Sequence, residues 1–217
     1  FLKRLREETE RYDILLIFDE VITGYRFTNA LFQNEINIIP DLTTMGKIIG
    51  GGFPIGAIGG RKDIIDQSRP EAENQILIGG GTFSGYPLSM IAGLKTLEIL
   101  NKSQQEYLRI NQEGNKLLNN LNQLFDEEKL PIIAKGHKSI IMLHALRKWI
   151  EHPSMREIVE FKDKKREALL QLSLFNRNIS GLHGLGCISM AHTQDNILQI
   201  QEVVSDVASP VSQAIFK

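Results

Sequence analysis

An α/β domain with a mostly parallel sheet, followed by a smaller α+β domain, is the fold class this sequence predicts, and three observations predict it. Short apolar runs that end in small or acidic residues recur at Asp13–Phe18, Leu42–Thr44, Ala57–Gly60 and Gln75–Ile78. Continuous runs of this length suit strands buried on both faces of a sheet. Helical stretches and glycine clusters (Gly50 to Gly52, Gly79 to Gly81) lie between them. From about Asn101 the composition then shifts toward Asn, Gln and Lys, which divides the chain into residues 1–101 and 102–217. A length of 217 residues fits one domain with a smaller one appended.

The helices follow from spacing and end signals. Leu2 to Glu10 reads as a charged helix. Pro87 opens another that runs to about Leu100, proline being suited to a first turn where its missing N–H is not needed. In the second domain Leu117, Leu118, Leu121, Leu124 and Phe125 recur at helical spacing and give one amphipathic face. A strand is expected at Ser139–His144, a helix from about Ser154 to Phe175, and a last strand at Cys187–His192. Thr193 then caps a final helix, with Asp195 in its favourable first turn.

Composition removes several functions. The chain carries 25 basic and 26 acidic residues, so it has no electrostatic footprint for nucleic acid or an anionic membrane. No apolar run approaches the roughly 20 residues needed to cross a bilayer. A single cysteine, Cys187, rules out an intrachain disulfide framework, leaves no cysteine-based zinc site and fits a reducing, cytoplasmic compartment. The five histidines show no metal-ligand spacing, and no metal is expected. The chain opens at Phe1 with no signal or transit peptide in view, and is expected to be a fragment of a longer protein.

Three stretches could carry chemistry. Ile14 to Phe18 followed by Asp19-Glu20 puts a carboxylate at the carboxyl edge of a sheet, where α/β folds bind ligands. The plainer alternative is that Asp19 caps the next turn. A nucleotide-hydrolase reading would need GxxxxGK[ST], which is absent, as is GxGxxG. Next, Thr43-Thr44-Met45-Gly46-Lys47 precedes Gly50-Gly51-Gly52. A lysine just past a buried strand can lie in a water-poor site, where burial favours the free amine that forms a Schiff base. The flanking glycines allow a ligand to approach the backbone closely; a lysine in a surface loop is the rival. Third, Gly80 to Pro87 leads into a helix, and the hydroxyls of Thr82 and Ser84 beside backbone N–H groups make either an anion site or a simple helix start.

Together these words resemble one family. FDEVITGYRF (Phe18–Phe27), PDLTTMGKIIGGGFPIGAIGGRKDI (Pro40–Ile64) and GGTFSGYPLSMIAG (Gly80–Gly93) are similar, in order and separation, to class III aminotransferases dependent on pyridoxal 5'-phosphate (PLP). Within it they look most like the glutamate-1-semialdehyde aminomutase branch. SMAHTQDNI (Ser189–Ile197) resembles the family's C-terminal strand and helix. The resemblance implies a type I PLP-transferase fold, of which residues 1–101 are part of the large domain and 102–217 the small one. It also implies that Lys47 holds PLP as a Schiff base and moves protons, that Asp19 pairs with the pyridine nitrogen, and that Ile22 lies against the ring. Thr82 would bind the phosphate across a subunit boundary, which makes a homodimer with shared sites.

The same comparison marks departures. Family members are about twice as long, and their N-terminal half brings a second phosphate loop, a ring-stacking aromatic residue and much of the pocket. The chain alone is therefore expected not to turn over substrate. Aminomutases carry a glutamate near the stretch that here reads His183-Gly184-Leu185-Gly186-Cys187, and Tyr86 stands where relatives often have asparagine. The readings that follow are an aminomutase forming 5-aminolevulinate, a transaminase using a 2-oxo acid acceptor, or an inactive, partner-binding remnant.

Overall fold

A computed structural model describes residues 1–73, 75–76, 80–181 and 185–214. They form two compact units, Phe1–Gln104 and Gln105–Lys217. The first holds helix α1 (Leu2–Arg11), strand β1 (Ile17–Asp19), α2 (Phe32–Ile36), β2 (Leu42–Gly46), a 3-10 turn (Lys47–Gly50), β3 (Gly56–Gly60), α3 (Lys62–Ile65) and α4 (Pro87–Asn101). The second holds α5 (Gln104–Glu127), β4 (Ile132–His137), β5 (Ile140–Ala145), α6 (Met155–Phe161), α7 (Lys164–Phe175), β6 (Leu185–Cys187) and α8 (Gln194–Gln213).

In the first unit the order is β1-β2-β3. β1 pairs with β2 in parallel, Asp19 opposite Thr44, while β2 pairs with β3 antiparallel. A mostly parallel sheet is thus qualified at its third strand, and the cause is connection length. A parallel crossover takes about a dozen residues or more, and the link from Lys47 to Ile55 is too short for one. The expectation of strands buried on both faces also needs correcting. Leu16 is buried, but Ile14, Leu15 and Ile17 are exposed. Leu15 and Ile17 alternate with Leu16 and so take the opposite side, which the described residues leave uncovered, while Ile14 lies ahead of β1, outside the strand. Of the run Gln75–Ile78, residues 77–78 lie outside the described residues, and Gln75 and Ile76 are not strand.

A buried carboxylate ties this unit together. Asp41 accepts hydrogen bonds from the Leu16 N–H (2.8 Å), from Arg6 (2.8 Å) and from Arg61 (3.0 Å), joining α1, the start of β1 and the end of β3. The Leu16 N–H, and after it the two guanidinium groups, hold the Asp41 carboxyl well below the usual carboxylate range, against the opposing effect of burial. A carboxyl depressed on folding stabilises the fold at neutral pH, and that stabilisation drains away as pH falls below the ordinary carboxylate range. Asp41→Asn is expected to cost about 2–3 kcal/mol at pH 7, the scale of buried hydrogen bonds to a charged group. Urea unfolding should show the gap to wild type narrowing as the pH is lowered.

In the second unit, antiparallel β4-β5-β6 packs with α5, α7 and α8. Leu117, Leu121 and Phe125 of α5 are buried, with Leu170 and Leu174 of α7 and Val204, Val207 and Val211 of α8, the apolar stripes expected of helices facing a core. The single helix anticipated from Ser154 to Phe175 is two. Asp163 breaks it, its side chain accepting from the Lys165 and Arg166 N–H groups and starting α7 afresh. The last strand is Leu185–Cys187, so of the expected Cys187–His192 only Cys187 is strand, and Thr193 caps α8 as anticipated, in a capping box with Asn196.

Candidate active site

Two of the sequence-predicted residues meet at one sheet edge. Asp19 is the last residue of β1 and faces Thr44 of β2. Because the two strands are parallel, their carboxyl ends open on the same side, and Lys47 stands just beyond β2 on that side. Both side chains are exposed. The Asp19 carboxylate does cap the next turn: Oδ1 accepts from the Val21 N–H at 3.0 Å and lies 3.4 Å from Thr44 Oγ1. Both contacts use Oδ1. Among the described residues no hydrogen bond engages the second oxygen of this exposed side chain.

Lys47 is exposed among the described residues, which do not by themselves supply the water-poor setting its neighbours suggested. Its backbone is unusual instead. Lys47 has φ +46°, a left-handed conformation that L-residues other than glycine rarely adopt and that it shares, among the described residues, with Asp13, Tyr25, Asn37, Lys129, Lys138, His152 and Asn178. The turn it begins is clamped on α4. A Cβ placed on Gly93 would sit 2.2 Å from the Ile49 carbonyl oxygen, so only glycine lets helix and turn approach this closely. Ser89 fastens the far end, donating from Oγ to the Pro54 carbonyl at 2.7 Å. Packing thus seats the turn that begins at Lys47 closely against α4.

Ile22 lies in the loop after Asp19 with its side chain 41% exposed, on no face that the described residues cover. Thr82 belongs to the exposed turn before α4. Ser84 Oγ accepts from the Gly81 N–H at 3.0 Å within this turn, and both Thr82 and Ser84 are exposed. Among the described residues no hydrogen bond joins Thr82 to Asp19 or Lys47. No group of acidic, histidine or cysteine side chains among the described residues is arranged to hold a metal ion.

Sequence reasoning passed over Glu20. It is 3% exposed, and its carboxylate accepts from the N–H groups of Phe32 and Gln33 and from Thr23 Oγ1. The pair Asp19-Glu20 was in view, but partners twelve and thirteen positions downstream carry no local signal.

Residues 1–137 match the family described as Aminotransferase class-III. A glutamate-1-semialdehyde 2,1-aminomutase of Syntrophomonas wolfei subsp. wolfei is 49% identical over 124 residues, which cover 57% of this chain and 28% of that protein. The protein of the same name from Pyrobaculum islandicum is 34% identical over 204 residues, covering 90% of this chain and 45% of that one. A solved transaminase with PLP bound shares the fold at a TM-score of 0.80 and 26% identity, over 98% of this chain and 49% of its own. The chain therefore spans less than half the length of these proteins.

Proposed function

The chain belongs to the class III aminotransferase family, and from that we propose that the whole protein moves an amino group with PLP, acting as a glutamate-1-semialdehyde 2,1-aminomutase that yields 5-aminolevulinate. The observation that carries this reading is the placement of Asp19 at the carboxyl end of β1 and of Lys47 just past the carboxyl end of the parallel β2. An acid for a ring nitrogen and an amine for an aldehyde carbon are the donor set PLP requires, and the residues present fit it. Bound there, the cofactor supplies an electron sink for a carbanion beside the substrate nitrogen.

The chain's own groups have separate tasks. Asp19 Oδ2 would accept the ring N–H, and its negative charge would keep that nitrogen protonated. Lys47 Nζ would join the aldehyde carbon as an imine with loss of water and, once displaced by the substrate's amino group, would carry a proton between substrate and cofactor carbons. Ile22 would lie on the ring face. Thr82 would donate its hydroxyl to the phosphate held by the partner subunit, so a homodimer with shared sites is part of the proposal. So is a cytoplasmic setting, with which the unpaired thiol of Cys187 is consistent.

Identity of 49% to an aminomutase supports transfer within one molecule. The likeness to a solved transaminase supports the second reading, transfer to a separate 2-oxo acid. Turnover by the full-length protein with and without an added 2-oxo acid decides between them. Sustained 5-aminolevulinate formation without acceptor is the expected result. A reaction that stops after one equivalent and resumes on addition of acceptor would assign the transaminase activity instead.

A further inference from the structure

We propose that Glu20 is a positioning residue, which sets the alignment of Asp19 and Lys47 by stapling the loop between β1 and α2 to the sheet edge. The inference rests on the cofactor reading above and deepens it.

Glu20 is fixed at both backbone and side chain. Its N–H donates to the Thr44 carbonyl at 2.9 Å, continuing the β1–β2 ladder one residue past Asp19, and its carbonyl accepts from the Gly24 N–H at 2.9 Å. Its side chain reaches across the loop to the first two N–H groups of α2, at Phe32 and Gln33, and takes a third bond from Thr23. The far end of the loop is pinned to β2 as well, because Thr43 Oγ1 donates to Gln33 Oε1 at 2.7 Å. The loop is therefore a closed ring, and the Glu20 carboxylate is its clasp.

Both proposed cofactor contacts lean on that ring. The Val21 N–H holds Asp19 Oδ1 and so fixes how the carboxylate is turned. The Val21 side chain lies against Gly46, its Cγ1 only 3.3 Å from where a Cβ there would stand, and Gly46 is the residue before Lys47. Opening the clasp would free Val21, and with it the rotation of Asp19 and the backbone that launches Lys47. A carboxylate with two acceptor oxygens is needed, since it receives two N–H groups at once; an amide offers one acceptor and meets the second N–H with a donor.

Full-length protein loaded with PLP, compared among wild type, Glu20→Gln, Glu20→Ala and Asp19→Asn, tests this. Loss of hydrogen bonds to a buried charged acceptor is expected to weaken PLP binding by about tenfold or more in Glu20→Ala. Glu20→Gln should fall between it and wild type. The pH midpoint of the bound cofactor's absorbance should move in the same direction as in Asp19→Asn, which a purely structural lesion would not cause. In the cofactor-free protein, amide exchange should speed up at Val21, Phe32, Gln33 and Lys47 while α4 is unchanged. A lowered melting temperature with wild-type PLP affinity and pH midpoint would overturn the proposal. If wild type takes up no PLP, the cofactor reading itself fails. The exchange measurement then decides alone, and unchanged exchange at Val21 and Lys47 in Glu20→Gln overturns the clasp. Should Glu20→Ala not fold, Glu20→Gln carries the comparison, because it keeps the size and shape of the side chain.

Discussion

Lys47→Ala in the full-length protein is expected to bind PLP only non-covalently and to lose several orders of magnitude in rate. Two separate contributions vanish together. The amine is the nucleophile that would hold the cofactor, and it is also the base that would move the substrate proton, a role worth roughly 10²–10⁴-fold by itself. Asp19, the other proposed group on this edge, is engaged through Oδ1 by the Val21 N–H and offers no amine to take the place of Lys47. Borohydride reduction of the wild-type protein followed by peptide mapping should place the pyridoxyl group on Lys47. A label on any other lysine would remove the assignment, and so would a Lys47→Ala protein with near-normal turnover.

Asp19→Asn is the second large effect. The substitution keeps the side chain's shape and can keep the bond from the Val21 N–H, but it removes the charge that would hold the ring nitrogen protonated. At least about 2 kcal/mol of transition-state stabilisation should be lost, the scale of a hydrogen bond to a charged group. Measured kcat/KM should fall accordingly, with thermal stability little changed because Asp19 is exposed. Unimpaired turnover would leave Asp19 as the turn cap that its Val21 bond already makes it, and nothing more.

How much of this was legible in the sequence depends on how far each signal reaches. Asp19 and Lys47 could be found because each follows an apolar run directly, and a strand end is a local property. Their juxtaposition was not local, since it rests on a parallel ladder between residues some 25 positions apart. Asp41 was invisible for the same reason: its Arg6 partner lies 35 positions upstream. The antiparallel return of β3 was there to be read, because the short link after Lys47 forbids a crossover. So was the break at Asp163, a good N-cap residue in the middle of a helical pattern. Burial of the strands was misjudged because apolar character records what a strand is suited to meet, and Ile14, Leu15 and Ile17 meet no described residue that covers them.

α4 inverts the usual relation between size and burial. Its fully buried positions are Ser89 and Gly93, while Leu88, Met90, Ile91 and Leu94 face solvent.

The left-handed backbone at Lys47 has a consequence for how such a chain would drift under relaxed selection. A non-glycine residue there is disfavoured by roughly 1–2 kcal/mol, partly offset by the extra chain entropy glycine would lose on folding. Mutation toward glycine would therefore be neutral or mildly favourable for the fold, and fatal only to the chemistry. Stability alone gives a lineage no reason to retain lysine at this position.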